Sequence, residues 1–392
     1  MTNDQESLLH KQNLRSLRIL TILGLMTAVV LTFPFSHTRG SARTGRATLL
    51  AVNQGEATLG IIDPRAGKQV ATVAVGDVTG HEVATSLDGK LAYVPIYGDS
   101  SVGEPGTDGR ELVVIDIGSR QVVQRFDFGH GVRPHCAVMN PNDGLLYVTT
   151  ELDRSVAIID PKTLKMVGTI PTGQDESHML VLSHDGRFGY TANVGPGTVS
   201  VLDLEARKLI SVLPVSQKTQ RISISVDDRM VFTADQTKPR LVMIDTATNK
   251  LKTWIPLPAP GYGTAATRDG RWLLVAMQST SQVAIVDLHT LRVAHTVDAP
   301  PTPHEIFISP NNDVAYVSCT KSGKIAVIRL SDWSIKNIIA AGNRVDGLGW
   351  ASLHRGEFSL QAVVRIWEVL KAMRSGTTSR AEMEINQLLW RL

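Results

Sequence analysis

The chain is short of several residue types, and each shortage narrows the possibilities. Only two of its 392 residues are cysteine, Cys136 and Cys319. So few say nothing about redox compartment. Aromatic residues make up 5% of the chain, so a core must be built mostly from Val, Ile, Leu and Ala. Stacking platforms for single-stranded nucleic acid are correspondingly scarce. The net charge is only +3, and the basic residues are scattered rather than striped, which argues against a nucleic-acid partner. No Gly-x-Ser-x-Gly, Ser-x-x-Lys or catalytic Cys signature is present, and no Walker or dinucleotide loop. Long apolar runs are absent apart from one near the start, Ile19 to Phe35.

What the chain does have is a repeat. The stretch LLYVTTELDRSVAIIDPKTLKMVGTIPTG, Leu145 to Gly173, reads as three short strands separated by turn residues. One such unit cannot bury its own faces. The Asp that ends its second run recurs at Asp63, Asp116, Asp160, Asp203, Asp245 and Asp287, with Arg329 in the seventh place. The spacings are 53, 44, 43, 42, 42 and 42. An Asp there caps a turn by accepting bonds from the backbone just ahead of it. Asp88-Gly89, Asp143-Gly144, Asp185-Gly186 and Asp269-Gly270 mark hairpins that need a positive φ, and Asp228-Arg229 and Asn312-Asp313 are weaker copies.

Four short strands in a period of about 42 residues is the arithmetic of a β-propeller. Seven copies predict an all-β, seven-bladed ring over residues 46–352. The chain opens with three strands (Thr48–Asn53, Ala57–Asp63, Gln69–Val75) and closes with a lone one, Gly347–Ser352. The seventh blade is therefore expected to form by pairing the two ends, leaving only short blade edges exposed. In this register Cys136 opens the first strand of blade 2 and Cys319 ends the second strand of blade 6. Blades three steps apart do not bring Cα atoms within the roughly 7 Å a disulfide needs.

The runs LLYVTTELDRSVAIID and VAYVSCTKSGKIAVI resemble the YVTN-repeat, YncE-like β-propeller family, over about Ala47 to Ala351. The resemblance implies the architecture and leaves the activity open. The Trp-Asp and Gly-His signatures of WD40 propellers are missing at their usual offsets.

Residues 1–45 read as a leader: Lys11, Arg15 and Arg18, then the apolar run Ile19–Phe35, then Gly40-Ser41-Ala42 as a small-residue cleavage site. Either a cleaved signal peptide or a membrane anchor is expected, with membrane association through residues 19–35 in the second case. Both place the propeller in the periplasm or outside the cell. Residues 353–392 leave the repeat. Leu360, Val363, Val364, Trp367 and Leu370 recur at helical spacing and predict an amphipathic helical tail. Blade 1 carries one insertion, Tyr97 to Arg110, between its second and third strands. It should hang over the mouth of the channel as a Gly-rich lid. Its Asp99, Glu104 and Asp108 are the residues that could take calcium.

One constellation could carry chemistry. The residue at the start of each innermost strand is His81, His135, His178, Arg221, Tyr262, His304 and Asp346, in chain order. Four of the eight histidines of the propeller share this one offset. Seven side chains, one from each blade, should converge on one mouth of the channel. The first reading of the ring is structural: imidazoles tying blade to blade. The second is a metal site for zinc, copper or iron. His81, His304 and Asp346 would form one face, with Glu82 and Glu305 behind, and His135, Cys136 and His178 a softer half-site. Such a ring is similar to the copper-binding histidines of nitrous oxide reductase propellers, although this chain has four ring histidines and no electron-transfer domain. The third is a small-molecule or anion site, with Arg221, Arg133 and Arg344 cationic, Tyr262 stacking, and Glu82 or Glu305 available for acid–base work. The leading expectation is an exported binding or scaffold propeller with a small-molecule or protein ligand at its His-lined mouth. The alternative is a metal-dependent enzyme, lactonase-like hydrolase or oxidoreductase, on the same His/Asp ring.

Overall fold

The computed structural model describes residues 47–352, so the leader and the tail lie outside the described residues. Among the described residues no helix is long and apolar enough to cross a membrane.

The described residues form seven antiparallel sheets. Blade 2 shows the plan: Pro134–Met139 innermost, then Leu146–Thr150, Ser155–Asp160 and Lys165–Pro171 outermost. The inner strands are apolar on both faces and buried, because each blade packs against two neighbours. The outermost strand exposes most of its residues, as expected of an edge. Blade-to-blade packing is mostly Val, Ile and Leu, as in the cluster of Ile158, Ile170, Leu180, Val199 and Val201.

The repeated turn does what its Asp predicts. Asp160 Oδ1 accepts from the Lys162 amide at 2.8 Å, and Asp287 Oδ1 from the His289 and Thr290 amides at 2.8 and 2.9 Å. A left-handed residue completes each such turn: Leu164 at φ 49°, Leu291 at φ 56°. Arg329 reverses the polarity: its Nη1 donates to Asp332 Oδ2 at 2.7 Å and to Ser334 Oγ at 3.0 Å. Asp228 and Asn312, the weaker hairpin copies, carry the positive φ themselves, at 59° and 57°.

The ring closes as expected. Val345–Ser352 pairs antiparallel with Ala47–Asn53, and Thr58–Asp63 and Lys68–Ala74 complete blade 7. The chain direction then carries Asp346 to the mouth and Ser352 to the opposite face. Gly89, in the first hairpin of blade 1, lies directly against Ser352. Cys136 and Cys319 are buried and free.

Blade 1 departs from the plan in two ways. Its innermost strand is broken into Thr79–Gly80 and Ala84–Thr85, with His81 and Glu82 in the gap. Its insertion is also shorter than the sequence suggested. Leu91–Gly98 and Asp108–Asp116 run into it and pair as far as Gly98 with Asp108, leaving residues 99–107 as the loop. Asp99 shortens it by accepting from the Thr107 amide at 2.6 Å and the Thr107 hydroxyl at 2.9 Å.

Candidate functional site at the channel mouth

The ring predicted from register is formed. Neighbouring blades bring His81 and His135 to 5.1 Å between ring centres, His135 and His178 to 3.3 Å, and Tyr262 and His304 to 4.3 Å. Arg221 reaches across the channel from blade 4. Its Nη2 lies 2.7 Å from Asp346 Oδ1 on blade 7 and 2.7 Å from Glu82 Oε1 on blade 1, and its Nη1 lies 3.3 Å from Glu305 Oε2 on blade 6. One cation thus ties three other blades.

These contacts set the proton on His81 and His178, and bring both a carboxylate and a guanidinium to His304 Nδ1. Asp346 Oδ1 lies 2.8 Å from His304 Nδ1. Burial alone would raise the Asp346 carboxyl, but the neighbouring His304 and Arg221 outweigh it and hold it below the usual carboxylate range. Arg221 Nη2 lies 3.1 Å from the same Nδ1, so a group that only accepts, Asp346, and one that only donates, Arg221, both face it; with its proton turned to Asp346, His304 keeps the Nε2 lone pair free. The Gln54 side-chain amide donates to His81 Nδ1 at 2.9 Å, which puts the His81 proton on Nε2. His178 Nδ1 donates to Glu151, and the Gln220 amide donates to His178 Nε2 at 3.0 Å. Gln236 donates in turn to Gln220 Oε1 at 3.2 Å and sets the orientation of that amide.

Burial holds the imidazoles of His81, His135 and His304 neutral. It pushes the His81 pKa down to about 3, with Asp346 pulling the other way. His135 is lowered well below the ordinary value, first by burial and then by the other ring histidines. His304 is lowered by burial, partly offset by Asp346. The carboxyls of Glu82 and Glu305 move up, because burial opposes their charge more than Arg221 supports it. Arg221 stays charged despite its burial, because Glu82, Glu305 and Asp346 surround it. Four buried polar atoms here make no hydrogen bond: His135 Nδ1, Arg221 Nε, Arg221 Nη1 and Glu82 Oε1, the last two being held only in ion pairs.

Several expectations change in detail. Arg133, Arg221 and Arg344 do not make a cationic mouth. Arg221 is met by three carboxylates, and Arg133 is buried against Asp108, its Nε 2.6 Å from Oδ1. Arg344 alone of the three is exposed. His81, His304 and Asp346 do come together, but Asp346 spends its oxygens on Arg221, His304 and the Gln54 amide. Asp99 and Asp108 are likewise taken by Thr107 and Arg133. Among the described residues no group of three or more His, Cys, Asp or Glu side chains is arranged to hold a metal ion.

The structure adds residues that the sequence reading missed. Tyr97 packs its ring 4.8 Å from His81, 5.5 Å from His135 and 5.8 Å from His178, and its hydroxyl donates to Glu151 Oε2 at 2.7 Å. Glu151 therefore bridges Tyr97 and His178. Gln54, Glu151, Gln236 and Gln278 all stand nine residues before the repeated Asp or its equivalent. That second recurring offset could have revealed them.

Above this ring, between the lid and blades 2 and 3, lies an open cleft of about 500 Å³. Glu104 and Pro105 of the lid, Arg133, Glu151 and Leu152 are among its walls.

Residues 139–261, less than a third of the chain, match a family model described as the cytochrome D1 heme domain. It is this family, rather than the YVTN-repeat one, whose model matches. No curated protein matches the chain. Among solved structures, hydrazine synthase from Kuenenia stuttgartiensis is similar at 19% identity, with 76% of this chain and 99% of that chain covered and a TM-score of 0.63. Dihydro-heme d1 dehydrogenase NirN in complex with DHE is similar at 16% identity over 81% of this chain and 78% of that chain, with a TM-score of 0.56. Identities this low establish a shared propeller fold.

Proposed function

We propose that the propeller binds an iron tetrapyrrole of the haem class at its His-lined mouth, with His304 as the iron's protein ligand. The observation that carries this reading is the His304–Asp346 pair. In the tautomer whose Nδ1 proton faces Asp346, that carboxylate orients the ring, raises its basicity and leaves Nε2 as the donor, as at metal-ligating histidines. Burial keeps the imidazole neutral, the form that can ligate. Tyr262 supplies an aromatic face beside His304. The unpartnered His135 Nδ1 offers a second polar contact across the mouth.

The match of residues 139–261 to a heme-domain family model supports the ligand class. That stretch includes His178, Glu151 and Arg221 of the site. Iron in such a group would supply electron transfer or activation of a small molecule, and this chain's residues bind it, orient it and keep water away. The leader read in residues 1–45 makes this an exported binding protein in the same proposal, periplasmic or extracellular.

Titration with ferric protoporphyrin IX, followed by its visible absorption, tests the assignment. Saturable binding that His304→Ala abolishes supports it. Binding that is absent, or indifferent to that substitution, removes it.

A further inference from the structure

We infer that residues 99–107 are a gate over the mouth, latched by Arg133, and that opening this gate admits ligand to the buried histidines. The gate serves the ligand site proposed above, but its geometry stands independently of that ligand's identity.

The histidines that face the cleft side are sealed in this structure. His135 is 1% exposed and His178 is fully buried. Above them stand Tyr97 and Glu151, and above these the cleft roofed by Gly103, Glu104 and Pro105. A ligand reaching the ring from this side passes beneath that lid and meets Tyr97 and Glu151 before the histidines.

The roof is built to move as one piece. Asp99 and Thr107 staple its base with two hydrogen bonds, at 2.6 and 2.9 Å. A turn in which the Glu104 amide bonds the Ser101 carbonyl at 3.0 Å shapes its tip. Gly98 and Gly109 flank it, and Gly98 has a φ of 132° that other residues rarely adopt. No residue from 99 to 107 is buried, so the loop is not anchored by apolar packing. A compact loop joined at its ends by a polar staple is an Ω-loop, a common form for gating elements.

Its hydrogen-bonded tie to the rest of the ring is one residue, and Gly103 also rests against the Glu176 carboxylate. Arg133 Nη2 donates to the Glu104 carbonyl at 2.8 Å, and Nε donates to Asp108 Oδ1 at 2.6 Å, just past the loop. Arg133 is 6% exposed and stands in the left-handed region at φ 48°, which turns its side chain up under the lid. Releasing one guanidinium therefore frees the whole segment.

The test reads solvent access to the histidines directly. Pro105→Cys and Leu152→Cys place thiols on the lid and on the opposite wall of the cleft. Cys136 and Cys319 are buried and leave the engineered thiols to react. A short bismaleimide with a cleavable disulfide then ties lid to wall. Carbethoxylation of His135 and His178 by diethyl pyrocarbonate is followed by peptide mass, with the exposed His130 and His184 as controls. Bridging should slow modification of His135 and His178 about tenfold, cleavage should restore it, and Arg133→Met should speed it by several-fold, with the controls unchanged. Equal rates in bridged, cleaved and Arg133→Met proteins would overturn the gate. Slowed modification in a protein that never binds ferric protoporphyrin IX would leave the gate standing and sink the haem assignment. Haem binding with unchanged modification rates would do the reverse.

Discussion

Asp346, the second residue of the strand that closes the ring, lies 2.8 Å from His304 Nδ1 on the neighbouring blade. The closing strand therefore does more than seal the propeller. It supplies a carboxylate that meets Nδ1 of the histidine beside it, where Arg221 Nη2 also lies 3.1 Å away.

Asp346→Asn tests that coupling. An amide can present its NH₂ to Nδ1 and so drive the proton to Nε2, where it blocks ligation. Affinity for ferric protoporphyrin IX should fall by about 10–100-fold, the usual cost of losing a group that orients a metal-ligating histidine. Comparing absorption titrations of the variant and the parent protein checks this. Equal affinities would mean that Asp346 acts only in the fold.

Arg221 should be the residue on which the ring depends most for stability. Replacing it with Met leaves Glu82, Glu305 and Asp346 buried together without their cation. Breaking a buried ion pair from one side costs about 3–5 kcal/mol. Urea unfolding should show a loss of that order, and Glu82→Gln in the same chain should recover part of it. Additive losses from the two changes would contradict the shared network.

Acid should loosen the propeller before it affects the surface turns. The pKa values of His81, His135 and His304 are lower in the folded than in the unfolded chain. The unfolded chain therefore takes up protons first. The stability these residues hold is complete above their unfolded pKa of about 6.5 and is lost as pH falls, for His81 down to about 3. Glu82 and Glu305, raised on folding, act with the opposite sign, stabilising most at low pH and less as pH rises through their folded values. Thermal melts from pH 7.5 to 4.5 should show Tm falling, with a shallower fall in His81→Gln. A flat profile, or the same slope in the variant, would contradict the buried neutral imidazoles.

Ring closure has its own test in two glycines of like conformation. Gly89 has φ 72°, and a Cβ there would collide with the backbone of Ser352. Gly144 has φ 71°, with nothing within 4 Å of the same position. Gly144→Ala should cost about 1–2 kcal/mol for the left-handed backbone alone. Gly89→Ala should cost that plus a further ~1–3 kcal/mol for the overlap at the closing strand. Denaturation of both variants measures the difference, and equal losses would show that the closing strand gives way freely.

Much of this architecture was legible because it rests on local chemistry. Asp160, Asp245 and Asp287 bond amides within three residues of themselves, so the turns declare themselves in any stretch of the repeat. The ring offset was legible for the same reason: His135, His178 and His304 hold one place in one register. The partners of the ring were not. Gln54 and Glu151 end their strands looking like ordinary surface residues, and only the meeting of blades puts them on His81 and His178. The charge balance was hidden as well. Nothing in the spacing shows that Glu82 and Glu305 turn inward to meet Arg221, so its charge read as an anion site. The insertion read too long because the Asp99–Thr107 staple lets the strands continue into it.

The central claim is that His304 Nε2 is a ligand donor, and chemical rescue tests it most directly. Ferric protoporphyrin IX would be titrated into the parent protein and into His304→Ala, with and without free imidazole, and coordination read from visible absorption and electron paramagnetic resonance. The account predicts stoichiometric, imidazole-ligated iron in the parent, its loss in the variant, and its return when imidazole fills the place of the missing ring. Parent and variant binding alike, or neither binding at all, would contradict it.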